Sequence, residues 1–286
     1  MKKILCIFVL FFSLSLSLSF ADSDIFTSID NEYNNMVKIG DYTFNFKTDL
    51  FKVYDKSGKN LLITVYKGKF YYPSIFFVNG KNVYYQKNVY DMKTDKLSSS
   101  IIQIDLATKK SKSIKNFNNI IYIQAIKGND LYYNVDIQKG NDEVTELRVL
   151  NLSNLSDKLV KLGATRVQLG KNKIFYMGKT YDPSPTTLHS MDYNYKNPKL
   201  ISPTVVNYIL SNGKVYYADD KDFEVETLYV CNEDGSGKNA LTDTIYAYIY
   251  HITPEEIRYS KLDGKNHHKM NLKTKKKQAL TNMVFE

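Results

Sequence analysis

The chain has 286 residues, 43% of them hydrophobic, with 39 Lys and Arg against 30 Asp and Glu and a formal net charge of +9. That length suffices for one large domain with its own core, and the excess of base is too mild to point to nucleic acid, so no nucleic-acid partner is expected. With 24 Tyr, 15 Phe and no Trp, the composition favours strands over helices.

Lys2 and Lys3 precede an apolar and Ser run from Ile4 to Phe20, followed by small residues around Ala21. Residues 1–21 therefore read as a secretory signal peptide cut after Ala21. A retained membrane anchor is the alternative, although a run of about 17 residues is near the lower limit for spanning a bilayer. Cleavage would remove Cys6 and leave Cys231 alone, which excludes an internal disulfide. The mature chain would carry 37 basic and 30 acidic residues, a net charge of +7. Residues 22–35 form a polar leader that is free to close the fold at its ends.

From Met36 onward the sequence repeats. Aromatic segments GDYTFNF, GKNVYYQ, GNDLYYN, KNKIFYM, NGKVYYA and PEEIRYS align on Phe44, Tyr84, Tyr132, Phe175, Tyr216 and Arg258, at separations of 40, 48, 43, 41 and 42 residues. Each is preceded by an apolar run and a turn signal, such as Asn79-Gly80 or Asn212-Gly213, which predicts a tight hairpin. A third strand, a polar turn and a short fourth strand complete each unit. Six such units over residues 36–286 predict an all-β fold, a six-bladed β-propeller of four-stranded antiparallel blades. A solenoid of β-arches is the competing architecture, but its repeats are usually shorter.

The alternation of GDY or VYY strands with LYxxxxDGxxKxLT-type turns, seen in Gly40–Phe46 with Leu50–Leu62 and in Asn212–Thr242, resembles a bacterial domain of unknown function similar to the β-propeller of low-density-lipoprotein-receptor-related proteins. The YWTD motif of those receptors has its nearest match in Tyr216-Tyr217-Ala218-Asp219 and lacks the Trp throughout. The resemblance implies a six-bladed ring acting as a binding surface, with no established enzymatic site.

In a meander blade, connections from strand two to three share one face and those from three to four the other. The first set is long and variable, and long loops on a rigid scaffold are where binding usually resides. Asp219, Asp220, Asp222, Glu224 and Glu226 in blade five, with Asp142 and Glu143 in blade three, give that face an acidic character and make these residues the candidate binding set. The second set is rich in lysine, with Lys109, Lys110 and Lys112 in blade two and Lys275, Lys276 and Lys277 in blade six as a candidate basic face. Solvated turn lysines that guard sheet edges explain the second pattern equally well.

Calcium would need several convergent oxygens, and Lys221 interrupts the acidic run, so no metal is expected. His267 and His268 are adjacent and on a strand would point to opposite faces. No Walker loop, dinucleotide fingerprint, zinc spacing or nucleophile elbow occurs, so no cofactor or catalytic residue is assigned.

The sequence thus predicts a secreted or surface-held monomer that binds an extracellular protein or an anionic cell-surface polymer without catalysis. The alternative is a propeller hydrolase or lyase acting on polysaccharide or peptide in the central channel, for which the first strands offer Arg166 and His251.

Overall fold

A computed structural model describes residues 27–29, 36–39, 41–47, 50–67, 76–91, 93–94, 96–139, 142–178, 186–220, 226–241, 248–252, 255–260 and 267–280. The predicted signal segment, residues 1–21, and residues 281–286 lie outside the described residues.

A short strand β1 (Thr27–Ile29) precedes six antiparallel meanders. Blade one contains β2 (Met36–Ile39), β3 (Tyr42–Lys47), β4 (Leu50–Asp55) and β5 (Leu61–Lys67). Blade two contains β6 (Phe76–Asn79), β7 (Asn82–Asp91), β8 (Lys96–Asp105) and β9 (Lys110–Phe117). Blade three contains β10 (Ile121–Lys127), β11 (Asp130–Lys139), β12 (Asp142–Asn151) and β13 (Asp157–Leu162). Blade four contains β14 (Ala164–Leu169), β15 (Lys173–Gly178), β16 (Thr187–Asp192) and β17 (Lys199–Ser202). Blade five contains β18 (Asn207–Ser211), β19 (Lys214–Asp220), β20 (Glu226–Asn232) and β21 (Asn239–Ala240). Blade six contains β22 (Tyr248–Ile252), β23 (Glu256–Ser260), β24 (His267–Asn271) and β25 (Lys277–Leu280). This is the all-β, six-bladed propeller architecture that the repeat predicts. The chain divides into two compact units, the first ending at Val160 and the second beginning at Lys161, so the division falls within β13.

The described part of the leader, β1, pairs with the first strand of blade two, Thr27 opposite Val78 and Ile29 opposite Phe76.

Register explains why the aromatic motif recurs. The residue before each aligned aromatic is Thr43, Val83, Leu131, Ile174, Val215 or Ile257, and all six are 0% exposed. The next positions, Phe44, Tyr84, Tyr132, Phe175 and Tyr216, are buried too. Successive strand residues point to opposite faces, so burial of consecutive residues means that both faces of the second strand are covered in blades one to five. Within the first unit, one apolar cluster joins Phe44 and Val53 of blade one to Phe76 and Val83 of blade two. Another joins Tyr84 and Ile101 to Ile123 and Leu131 of blade three. In the second unit Phe175 and Leu188 meet Tyr208, Tyr217 and Cys231 across blades four and five.

Side-chain amides reinforce this stacking by supplying the backbone bonds that a first strand's edge lacks. Gln86 Oε1 accepts from Ile123 N at 2.9 Å. The Gln168 amide does both jobs for β18, donating to Tyr208 O at 3.0 Å and accepting from Leu210 N at 2.9 Å.

Every third strand ends in Asp or Asn, and each of these side chains ties down the turn into strand four. Asp55 accepts from Ser57 Oγ at 2.6 Å, Asp105 from Ala107 N at 2.9 Å, Asn151 from Ser153 N at 3.1 Å, Asp192 from Asn197 Nδ2 at 2.7 Å and Asn271 from Thr274 N at 2.8 Å. Asn232 works in the other direction, donating to Ser236 Oγ at 2.8 Å. These local bonds mimic a backbone turn. Four residues beyond the Asx, blades two, three and six place Lys109, Leu155 and Lys275 in the left-handed region, with φ of 59°, 58° and 59°. Blade one has Gly58 at the corresponding bend, with φ of 73°.

Blades two and three are also joined by ions. Asp157 at the start of β13 accepts from Arg148 Nε at 3.0 Å and Tyr133 Oη at 2.7 Å, and pairs with Lys115 of β9. Burial opposes its charge, yet the hydrogen bonds from Lys115, Tyr133 and Arg148 outweigh it and hold the carboxyl below the usual range. Arg148 also bridges to Glu146 at 2.7 Å.

Leu155→Gly is expected to raise stability by about 0.5–1 kcal/mol, because the left-handed cost of a Cβ exceeds the extra chain entropy of glycine; a lower melting temperature would contradict the assigned turn. Asp157→Asn is expected to cost about 2–4 kcal/mol at pH 7, since it takes the carboxylate from Lys115 and leaves Arg148 with Glu146 alone. Because the folded carboxyl titrates below its unfolded value of about 3.9, the stabilisation is complete above that pH and lost as pH falls through the folded value. Urea midpoints for the two proteins should therefore differ at pH 7 and converge as the pH falls below about 3.9.

Candidate functional site

The connections expected to be long loops in blades two and three are largely strand. The ladder of β7 with β8 runs unbroken from Asn82 opposite Asp105 to Asp91 opposite Lys96. That of β11 with β12 runs from Asp130 opposite Asn151 to Lys139 opposite Asp142. The fourth strand of blade two reaches only to Ser99, and the first strand of blade three only to Val135. Beyond those points each hairpin continues as a two-stranded ribbon. The reason lies in the residues: Val89, Ile137, Val144 and Thr145 are β-branched and keep the pleat going where a loop would need Gly or Pro.

The ribbons present a mixed polar surface. Lys87, Val89, Lys96 and Ser98 are exposed on blade two, and Gln138, Lys139 and Glu143 on blade three. The base of each is pinned. Ser99 Oγ donates to Asn88 Oδ1 at 2.7 Å, and Thr145 Oγ1 donates to Asp136 Oδ1 at 2.6 Å. Of the predicted acidic residues here, Glu143 is exposed and lies opposite Gln138, while Asp142 begins its strand opposite Lys139.

Of the blade-five residues, Asp219 is buried. Asp219 is 2% exposed, accepts from Ser202 Oγ at 2.9 Å and from Thr204 Oγ1, and pairs with Lys238 at 3.3 Å. Lys238 Nζ in turn lies 4.1 Å from the centre of the Tyr229 ring, which stacks on Tyr217. Asp219 is thus an internal anchor whose oxygens are spent on Ser202 at the end of blade four, Thr204 in the connection that follows and Lys238 of blade five. Asp220 and Glu226 face each other as the last ladder pair of β19 and β20, and Asp222 and Glu224 lie outside the described residues.

The predicted basic residues are all exposed. Lys109, Lys110 and Lys112 follow one another around the turn and up β9, and Lys275, Lys276 and Lys277 do the same into β25. Lys115, on the same strand as Lys110 and Lys112, turns instead to Asp157.

Two of the histidines are cross-strand partners of buried tyrosines. Tyr176 stacks on His189 with ring centres 5.3 Å apart, and Tyr259 on His268 at 5.5 Å. Burial, with Lys161 nearby, pushes the His189 pKa down, so it sits neutral in its blade. His251 lies opposite Arg258 in the β22 ladder. Arg166 occupies a bulge in β14 with φ of 48° and donates to Val206 O at 3.0 Å, while Tyr208 Oη donates to Arg166 O. Burial raises the Cys231 thiol to about 11, leaving it protonated and unreactive. Among the described residues no group of three or more His, Cys, Asp or Glu is placed to hold a metal ion, and no helix is long and apolar enough to cross a membrane.

The Lys115–Asp157–Arg148 network escapes sequence reasoning. Its residues are of common types, and the one available signal, a charge pair 42 residues apart in a chain whose repeat is of that length, emerges only once blades are known to stack.

Comparison of the sequence with known families finds no match, and comparison with curated proteins finds none. Solved structures do resemble it. A prolyl endopeptidase from a study of two such enzymes matches 90% of this chain with a TM-score of 0.64 at 11% identity. The chain spans 42% of the length of that protein. An oligogalacturonate lyase from Vibrio parahaemolyticus matches 94% of this chain, over 85% of its own length, with a TM-score of 0.57 at 8% identity. The β-propeller domain of the Trilobed protease from Pyrococcus furiosus matches 72% of this chain, over 69% of its own, with a TM-score of 0.52 at 15% identity. At such identities the likeness carries the fold, and the fold is the β-propeller.

Proposed function

We propose that this protein is a secreted, non-catalytic propeller that recognises an extracellular protein through the projecting hairpins of blades two and three. It would belong with the bacterial domains of unknown function whose turns it resembles, and residues 1–21 would direct its export. The observation that carries this reading is the pair of ten-residue-stranded hairpins, Asn82–Asp105 and Asp130–Asn151, which outrun the strands beside them. A pinned ribbon offers a partner exposed side chains at little ordering cost, the usual advantage of a preorganised surface.

The carboxylates favour this reading over hydrolysis or lysis. Asp219, Glu146 and Asp157 are the acidic residues that burial would tune for catalysis, and each is held by a cation or by hydroxyl donors. Likeness to peptidase and lyase propellers supports the enzymatic alternative through fold alone.

Replacing Val89–Ser98 by Asn-Gly would close the first hairpin on the Asn88–Ser99 pair, and replacing Ile137–Val144 likewise would close the second on Asp136–Thr145. The doubly shortened protein is expected to keep its melting temperature within a few degrees and to lose the surface protein that the wild type captures in a pull-down. Capture of that protein undiminished by both deletions would refute the assignment.

A further inference from the structure

Each first strand pairs on one side with its second strand, and the backbone groups on its other side need partners of their own. In blade five the partner is a side chain. Gln168 serves Tyr208 O and Leu210 N, and these two residues lie opposite Tyr217 and Val215, the neighbours of the aligned aromatic Tyr216. In blade two the corresponding residues are Phe76 and Val78, opposite Tyr85 and Val83 on either side of Tyr84. There the partner is a strand, since β1 sets Ile29 opposite Phe76 and Thr27 opposite Val78.

The difference follows from the preceding blade. Gln168 lies opposite Phe175, and Gln86, which serves Ile123 N of blade three, stands two residues after Tyr84. Blade one has Val37 opposite Phe44 and Phe46 two residues after it, residue types with neither donor nor acceptor. Blade five has Ile209 and Ala218 in these places, and among the described residues no strand lies beside β22. A missing amide therefore leaves room for a strand without demanding one, and the leader, joined to β2 by residues 30–35, fills that room beside β6.

The acceptor strand does not depend on its occupant. Four pairs join β6 to β7, Phe76 and Val78 pack with Phe44 and Val53, and Phe77 packs with Tyr84 and Ile101. By contrast β1 is held by three pairs and ends its sheet. A preformed edge with a short terminal occupant is the arrangement in which one extended segment replaces another by strand addition. All of these elements belong to the first compact unit.

We propose that the side of β6 facing β1 is a binding site for an extended peptide, read by main-chain pairing at Phe76 and Val78, and that the leader is its resident ligand, tethered in cis. Its external ligand is an extended segment of another chain, free of proline at the two residues that pair.

The test is thermophoresis of the fluorescently labelled full chain, titrated with a peptide of the sequence of residues 24–31. A short tether gives the leader an effective concentration of about 1 mM, so a leader docked about nine-tenths of the time implies a peptide Kd of about 0.1 mM, weakened to about 1 mM in the wild type. Thr27→Pro with Ile29→Pro removes both N–H donors from β1 in the intact chain, and this variant is expected to bind the peptide about tenfold more tightly than the wild type. The same peptide with proline at these two places should bind neither protein. Hydrogen–deuterium exchange gives a second readout, in which residues 76–79 exchange faster in the variant and regain protection with about 1 mM peptide. Matching circular dichroism and melting curves would establish that the variant folds, and if it does not, Thr27→Pro alone makes the same comparison with one donor removed. The proposal is overturned if the folded variant binds the peptide no better than the wild type, if the proline-bearing peptide binds as well, or if exchange at residues 76–79 is the same in both proteins. None of these outcomes bears on capture of a protein by the hairpins.

Discussion

Burial of the second strand on both faces is the constraint from which the other features follow. A strand covered on one face reads as an alternation of apolar and polar residues, but here Val83 and Tyr84, Leu131 and Tyr132, or Val215 and Tyr216 are consecutive and buried. An isolated four-stranded meander cannot cover such a strand twice, so each blade depends on what stacks against it. The polar supports fit the same arrangement. Gln86 and Gln168 serve backbone groups 37 and 42 residues away, and Lys115 reaches Asp157 over 42, each about one repeat along the chain. Within each unit, contacts at one repeat length tie neighbouring blades together.

That geometry changes the reading of the charged residues. A buried carboxylate persists only with compensation, and Asp219 has it from Ser202, Thr204 and Lys238. The acidic residue that opens the blade-five connection is therefore part of the scaffold. Glu146 and Asp157 are likewise committed to Arg148, and His189 and His268 cover tyrosine rings. The reactive atoms of these residues are engaged in holding sheets together, and among the described residues the hairpin ribbons and the turn lysines are exposed.

Much of the fold was legible because stacking imposes a period. Phe44, Tyr84, Tyr132, Phe175, Tyr216 and Arg258, aligned by sequence, occupy the same place in the strand-two ladder, one residue after the fully buried position. The Asx at the end of each third strand was equally visible in Asp55, Asp105, Asn151, Asp192, Asn232 and Asn271, yet its role depends on a local turn geometry that many Asp and Asn residues adopt. Hairpin length was harder to read. The connections after Gln86 and Asn134 are rich in polar and charged residues, which suggests loops, whereas cross-strand pairing of β-branched residues continues the ladder through them. Burial of Asp219 could not be read at all, since the hydroxyls and lysine that hold it come from Ser202 at the end of blade four, Thr204 in the connection after it and Lys238 in the turn before β21.

Hydrogen–deuterium exchange across the whole chain tests the double-sided burial most directly. The account predicts six regularly spaced segments of slowest exchange, centred on Thr43, Val83, Leu131, Ile174, Val215 and Ile257, with faster exchange in the outermost strands of every blade. Protection confined to one or two blades, or as strong in the outer strands as in the second strands, would contradict it.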